Sequence, residues 1–322
     1  MRYIFFLPNA DYYKYAYREL EDQQSTILVF NVADNRNIIF RRLHDLFRVL
    51  RLSTVFPSLG KIHTLDDDLL KDDKICFIFS ARLLEASYCY NYVLSLKRIF
   101  PQSKFVLYYQ DIITSFKNYV HPNNVKRLFD LMISYNRIDS NEYNINYFPT
   151  SFSIQNENND SITQEFDVYF LGRAKDRGGK IIQMAKQFIS LGLSCDFNIL
   201  DMPIEKQQKL PGVNYIKEPF SYAENIMHIK NARAILEIMQ GDTNGYTLRT
   251  WESIAFNKVL ITNNSYLKED GEFFDDNFTV IIGQDMNQEL LNKITSSKTN
   301  RNKCVNKIRP QNFINYVADN IK

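Results

Sequence analysis

The chain has 322 residues, enough for two domains of ordinary size. Its formal charge of +2, from 39 basic and 37 acidic residues, lacks the basic excess of a dedicated nucleic-acid binder. The four cysteines, Cys76, Cys89, Cys195 and Cys304, show neither a C-x-x-C pair nor a zinc or disulfide spacing, which fits a reducing cytoplasm.

In chain order, RYIFFL (2–7) predicts a strand, residues 10–20 a helix, and ILVFNV (27–32) a second strand. A basic helical pattern over 37–52 carries Arg41, Arg42, Arg48 and Arg51 between apolar residues. It is read as a core helix with a basic outer face, with contact to an anionic membrane surface as the alternative. KICFIFS (74–80) predicts a third strand, followed by a helix over 82–100 that Pro101 ends. KFVLYYQD (104–111) and LFDLMISYN (128–136) supply the fourth and fifth strands. The polar stretch TSFSIQNENNDSITQ (150–164) reads as a linker after a first domain of 1–150.

A second series follows, placed in a domain of 165–305: strand FDVYFLG (166–172), helix 176–191, strands CDFNIL (195–200) and VNYI (213–216), and helix 221–231. Strand ARAILEI (232–238), helix 247–257 and strand KVLITN (258–263) complete it. A last segment, 306–322, holds a helix after Pro310 that is expected to pack back on the first domain. The strands are near-continuous apolar runs, the pattern of parallel sheets covered on both faces. The predicted class is therefore α/β, with two Rossmann-like domains that bind ligands at the carboxyl ends of their strands. No run approaches the length of a membrane span, and the N-terminus lacks the long apolar region of a signal peptide.

Nine of the ten glycines lie from Gly172 onward, and Gly60 is the exception. G-x-G-x-x-G and G-x-x-x-x-G-K-S/T motifs are absent, which disfavours dehydrogenases and P-loop enzymes. In FLGRAKDRGGK (170–180), Gly172 ends a strand, and Arg173, Lys175, Arg177 and Lys180 crowd the start of a helix. Cations beside a helix N-terminus suit an anion such as a diphosphate leaving group. In MQGDTNGYTLRTWESIAFNKVLITNN (239–264), a polar loop with Gln240, Gly241, Asn244 and Gly245 opens a helix at Thr247, with Arg249 and Glu252 in its first turns. Thr247 offers a cap and a hydroxyl, and Glu252 offers acceptors for ribose hydroxyls. Ordinary capping and a solvent-facing acid are the plainer alternatives for these two, and Trp251 is assigned to the core.

The segment GYTLRTWESIAFNKVLITNN resembles the donor-binding stretch of GT-B bacterial glycosyltransferases of lipopolysaccharide and capsule biosynthesis, through Gly245, Thr247, Arg249, Glu252 and Lys258. VLYYQDI (106–112), FDLMISYNRIDSNEYNINYFP (129–149), FDVYFLGRAKDR (166–177) and FSYAENIMHIKNARAILEIMQ (220–240) extend the resemblance over roughly 104–264. It implies two Rossmann-like domains facing a central cleft, and transfer of a sugar from a UDP- or GDP-linked donor to a saccharide acceptor, expected to be lipid-linked. It also implies an enzyme that needs no cofactor or bound metal; with the charge balance, the cysteine usage and the basic pattern over 37–52, the expectation is a cytoplasmic protein, in peripheral contact with the inner membrane, without a nucleic-acid partner. Gly172 and Arg173 match the strand-end pair facing the donor diphosphate, and Arg177 stands near a second cation position. Glu252 matches the second Glu of an E-x7-E pair whose first position is Asn244 here.

Asp111, at the end of its strand, is the candidate base should the reaction invert, ahead of His44 and His121. Asp66 and Asp68 are read as surface acids rather than metal ligands. A nucleotide-sugar epimerase of the same fold and a non-catalytic nucleotide-sugar-binding scaffold are the alternative functions.

Overall fold

A computed structural model describes residues 1–29, 74–85, 87–154, 165–241, 245–283, 286–296 and 302–321. The basic segment 37–52, His44, Gly60, Asp66, Asp68, Asn244 and most of the polar stretch 150–164 lie outside the described residues. The chain divides into two compact units, one made of Met1–Ser151 with Pro310–Lys322 and the other of Phe152–Arg309.

The first unit contains β1 (Arg2–Phe6), α1 (Asp11–Ala16), β2 (Thr26–Val29), β3 (Ile75–Ser80), α2 (Ala81–Leu84), α3 (Ser87–Ile99), β4 (Lys104–Tyr109), α4 (Pro122–Val125), β5 (Leu131–Ser134), α5 (Arg137–Tyr143) and β6 (Asn146–Tyr147). Its described strands form one parallel sheet in the order β2-β1-β3-β4-β5-β6. Every residue of β3 is buried, as its unbroken apolar run requires. The helix expected over 82–100 is two helices. Tyr119 donates its hydroxyl to the Glu85 carbonyl, just past the end of the first of them. α5 was not evident from periodicity; Asn136 caps it by accepting from the Ile138 and Asp139 amides.

The second unit contains β7 (Phe166–Arg173), α6 (Gly178–Ser190), β8 (Cys195–Leu200), β9 (Val213–Ile216), α7 (Tyr222–Asn231), β10 (Ala232–Glu237), α8 (Leu248–Ala255), β11 (Val259–Thr262), α9 (Tyr266–Asp270), β12 (Thr279–Ile281) and α10 (Met286–Ser296). The parallel sheet runs β12-β11-β10-β7-β8-β9, the doubly wound order in which the direction of winding reverses between β7 and β10. Alternate residues face opposite layers. Val168, Phe170, Phe197, Ala234 and Leu236 pack with Ile181, Ala185 and Phe188 of α6, while Tyr169 and Ile235 pack with Ile229 of α7. Thr150–Ile154, expected as part of a polar linker, is buried, and Phe152 donates its amide to the Ile308 carbonyl at 2.7 Å.

The last helix, α11 (Pro310–Asn320), belongs to the first unit. Phe313 lies 4.7 Å from Tyr108 and 5.2 Å from Phe148, ring to ring, and 6.0 Å from Phe5. The Asn146 amide donates to the Tyr316 hydroxyl at 3.0 Å. All four cysteines are buried and free. Among the described residues, no helix is long and apolar enough to cross a membrane.

Candidate functional site

The carboxyl ends of β7 and β10 are neighbours, and in a sheet of this winding order the crevice outside them is where ligands bind. β7 ends with Gly172 and Arg173, and a single 3-10 turn, Lys175–Arg177, leads into α6. A side chain at Gly172 would crowd the Phe170 ring at 3.0 Å and the Arg177 guanidinium at 3.2 Å, so glycine leaves room for Arg177 to lie across the strand end. Arg177 donates to the carbonyls of Arg173, at 3.2 Å, and Ile238, tying the β7 turn to the end of β10. Burial lowers the Arg177 pKa, and the charge of Arg249 adds to this against the opposing pull of Asp176 and Glu237. A guanidinium held so is relieved by an incoming anion. Arg173, half exposed, pairs with Asp201 beyond the end of β8. Lys175 donates to Gln240 at 2.8 Å, and the Gly241 amide donates to Asp176 at 3.2 Å. Lys175 and Asp201 both take positive φ, 44° and 56°, so two non-glycine residues beside Arg173 sit in a costly backbone region.

Gly245 is buried with φ of 101°, a conformation open to glycine, and its carbonyl accepts from the Asn264 amide at 2.9 Å. Thr247 then caps α8: its hydroxyl accepts from the Arg249 amide at 3.1 Å and donates its proton to Glu237. Glu237, buried at the end of β10, also accepts from the Thr262 hydroxyl. Burial raises its pKa, while the two threonine bonds and the charges of Arg249 and Arg177 lower it in part. Trp251 is buried as expected, edge-on to Phe273 at 5.0 Å.

Arg249 and Glu252 form an ion pair at the start of α8. Arg249 also donates to Asn225 at 3.2 Å and to the Leu171 carbonyl at 2.8 Å, one residue before Gly172. Burial is the largest single influence and opposes its charge, but Glu252 together with Tyr169 and Tyr222 outweighs it and the Arg249 pKa is raised. Glu252 is not the solvent-facing acid of the plainer alternative. Its side chain is 0% exposed, and Tyr222 and Asn225 each donate to it at 2.9 Å.

The structure thus gathers Gly172, Arg173, Arg177, Gln240, Gly245, Thr247, Arg249 and Glu252 around the ends of β7 and β10 and the start of α8. Reasoning from sequence missed Glu237, Asp201, Tyr222 and Asn225. The acid closing the apolar run AILE was the one visible sign of Glu237.

Asp111 lies in the other unit, past the end of β4. It is half exposed and paired with Arg82, which also holds Glu85 at 2.8 Å and lies 4.4 Å over the Phe116 ring. His121 packs edge-on against Tyr143 at 6.0 Å. Among the described residues, no group of three or more His, Cys, Asp or Glu side chains is placed to hold a metal ion.

No protein-family model matches the chain, and no curated protein matches it in sequence. Solved structures do match in fold. An alpha-glucosyltransferase in complex with UDP-glucose and DNA containing an abasic site aligns over 100% of both chains, with a TM-score of 0.60 at 11% identity. The apo structure of OtsA aligns over 100% of this chain and 99% of its own, with a TM-score of 0.53 at 9% identity. With its two six-stranded parallel sheets, the chain has the fold of the GT-B glycosyltransferases.

Proposed function

We propose that this protein transfers a hexose from a UDP- or GDP-linked donor to a saccharide acceptor, lipid-linked at the cytoplasmic face of the membrane, in surface polysaccharide or lipopolysaccharide synthesis. The observation that carries the reading is the set of cations Arg173, Lys175 and Arg177 at the strand end where the second sheet reverses its winding, beside the start of α6. Such a site suits a diphosphate, whose charge grows as the sugar leaves. In this reading the protein's own cations offset that charge without a bound metal. Arg173 faces the diphosphate, and Asp111 is the base should the reaction invert. The saccharide acceptor rests on the sequence resemblance.

A nucleic-acid acceptor is the second reading. The matched alpha-glucosyltransferase holds DNA, and it aligns over the full length of this chain; the charge of +2 speaks against it. Calorimetry with a panel of UDP- and GDP-sugars, followed by nucleotide-release assays with saccharide, lipid-linked and DNA acceptors, tests the proposal. Release only with DNA moves the acceptor to the second reading. Binding without release under any acceptor supports a scaffold, and no binding sinks the donor site.

A further inference from the structure

Glu237 closes β10 as a buried carboxylate whose hydrogen-bond partners are hydroxyls rather than cations. Its Oε1 accepts from the Thr247 hydroxyl and its Oε2 from that of Thr262. Each threonine oxygen also accepts a backbone amide, from Arg249 at 3.1 Å and from Asn264 at 2.9 Å. A hydroxyl has one proton and two acceptor sites, so among the described residues each threonine keeps one acceptor site unfilled. The charges acting on Glu237 are Arg249 of α8 and Arg177 of the turn after β7, and Asp176 acts on Arg177 in turn. Burial favours the protonated acid, while the threonine bonds and the two arginines favour the carboxylate. An anion settling against those arginines offsets their field and adds its own negative charge, which tips the balance toward the acid.

The two oxygens are not equivalent places for that proton. Thr262 is fully buried, so a proton on Oε2 would leave its hydroxyl hydrogen without an acceptor. Thr247 is half-buried where α8 begins, beside the ends of β7 and β10. On its side the bond can reverse: the carboxyl donates to the Thr247 oxygen, and the Thr247 hydrogen turns outward. We infer that donor binding brings a proton onto Glu237 Oε1, and that Thr247 then gives its hydroxyl hydrogen to the diphosphate. The proton comes from water and returns there when the nucleotide leaves, so no other covalent bond forms or breaks.

This rests on the nucleotide-sugar reading above, and the test separates the two. UDP-glucose and GDP-mannose are suitable probes, because a diphosphate esterified at both ends does not titrate near neutrality. Each is titrated calorimetrically into the full chain from about pH 5.5 to 8.5, in buffers of different ionisation enthalpy. Wild type should take up as much as about one proton per nucleotide, and its affinity should fall by up to about tenfold per pH unit as pH rises. Glu237→Gln mimics the protonated acid, its N–H donating to Thr247 and its oxygen accepting from Thr262. It should bind as tightly as wild type at the acid end and lose both the uptake and the decline. Three results overturn the inference: binding by wild type without uptake at any pH, uptake that survives in Glu237→Gln, or a variant that folds but binds weakly throughout, which reduces Glu237 to a fold support. Should Glu237→Gln fail to fold, infrared difference spectra of wild type decide, and a nucleotide sugar that raises no protonated-carboxyl band overturns it. Wild type that binds neither probe overturns the donor site itself and this inference with it.

Discussion

At the scale of single residues, the second unit separates groups that face outward from groups that hold them. Arg173 is half exposed and shares its charge with Asp201, so an anion can compete for it. Arg173→Ala should weaken donor binding by about 1.5–3 kcal/mol, the usual worth of a charged hydrogen bond, read by calorimetry with UDP- and GDP-sugars. Lys258 is the inward case. Its ammonium donates to the carbonyls of Lys230, at 2.7 Å, and Ala232, at 2.6 Å, where α7 ends. Burial, with the charge of Lys230, lowers its pKa from 10.5 to about 8. Below that value the folded and unfolded chains are both protonated there, and the burial cost is borne in full. Between about 8 and 10.5 only the unfolded chain still holds the proton, so this group makes stability rise with pH. The rise should total roughly 3 kcal/mol. It should appear as the difference between wild type and Lys258→Met in urea unfolding across that range, since buried thiols and phenols titrate alike in both. Arg173 and Arg177 were legible from their crowding at a strand end. The burial of Glu252 was not, because its donors Tyr222 and Asn225 lie 30 and 27 residues away.

At the scale of elements, long apolar runs were readable and short or side-chain-made elements were not. β3 and β4 declared themselves because a strand buried on both faces has almost no polar positions to interrupt it. β12 has three residues and α5 rests on the Asn136 cap, so neither offers a period to read. The start of α8 was readable through Thr247, whereas the tie from Thr247 to Glu237 depends on two elements meeting. α11 shows how much one short helix can carry. Phe313 is fully buried among Phe5, Tyr108 and Phe148. Phe313→Ala should cost about 3–5 kcal/mol through lost burial and the cavity left behind. Denaturant unfolding followed by tyrosine fluorescence measures it, and a loss under 1 kcal/mol would mean that the helix is a loose appendage.

At the scale of the whole molecule, the two-sheet architecture was legible from the repeated alternation of apolar runs and amphipathic segments. The winding order was not, because strand neighbours depend on crossovers that local patterning does not encode. That order places the cations of the second unit at its reversal point, where the proposed donor site lies. If protein cations alone offset the leaving-group charge, EDTA treatment should leave nucleotide release unchanged, and adding Mg²⁺ or Mn²⁺ afterwards should not raise it. A drop reversed by either ion would assign the charge to a metal.

The first unit is built from two segments, Met1–Ser151 and Pro310–Lys322, that flank the second unit along the chain, so its helix α11 is made after the whole of the second unit. The ribosome therefore releases every strand of the second unit before the first can be completed. Domains made first generally fold first during synthesis, but here the order should invert. The earlier segment must wait with the faces of Phe5, Tyr108 and Phe148 uncovered until residues 310–320 emerge. That interval is when chaperones have most to shield, and nascent chains ending at residue 309 but held clear of the ribosome on a tether should have a later-made half that resists protease while the earlier half is cut.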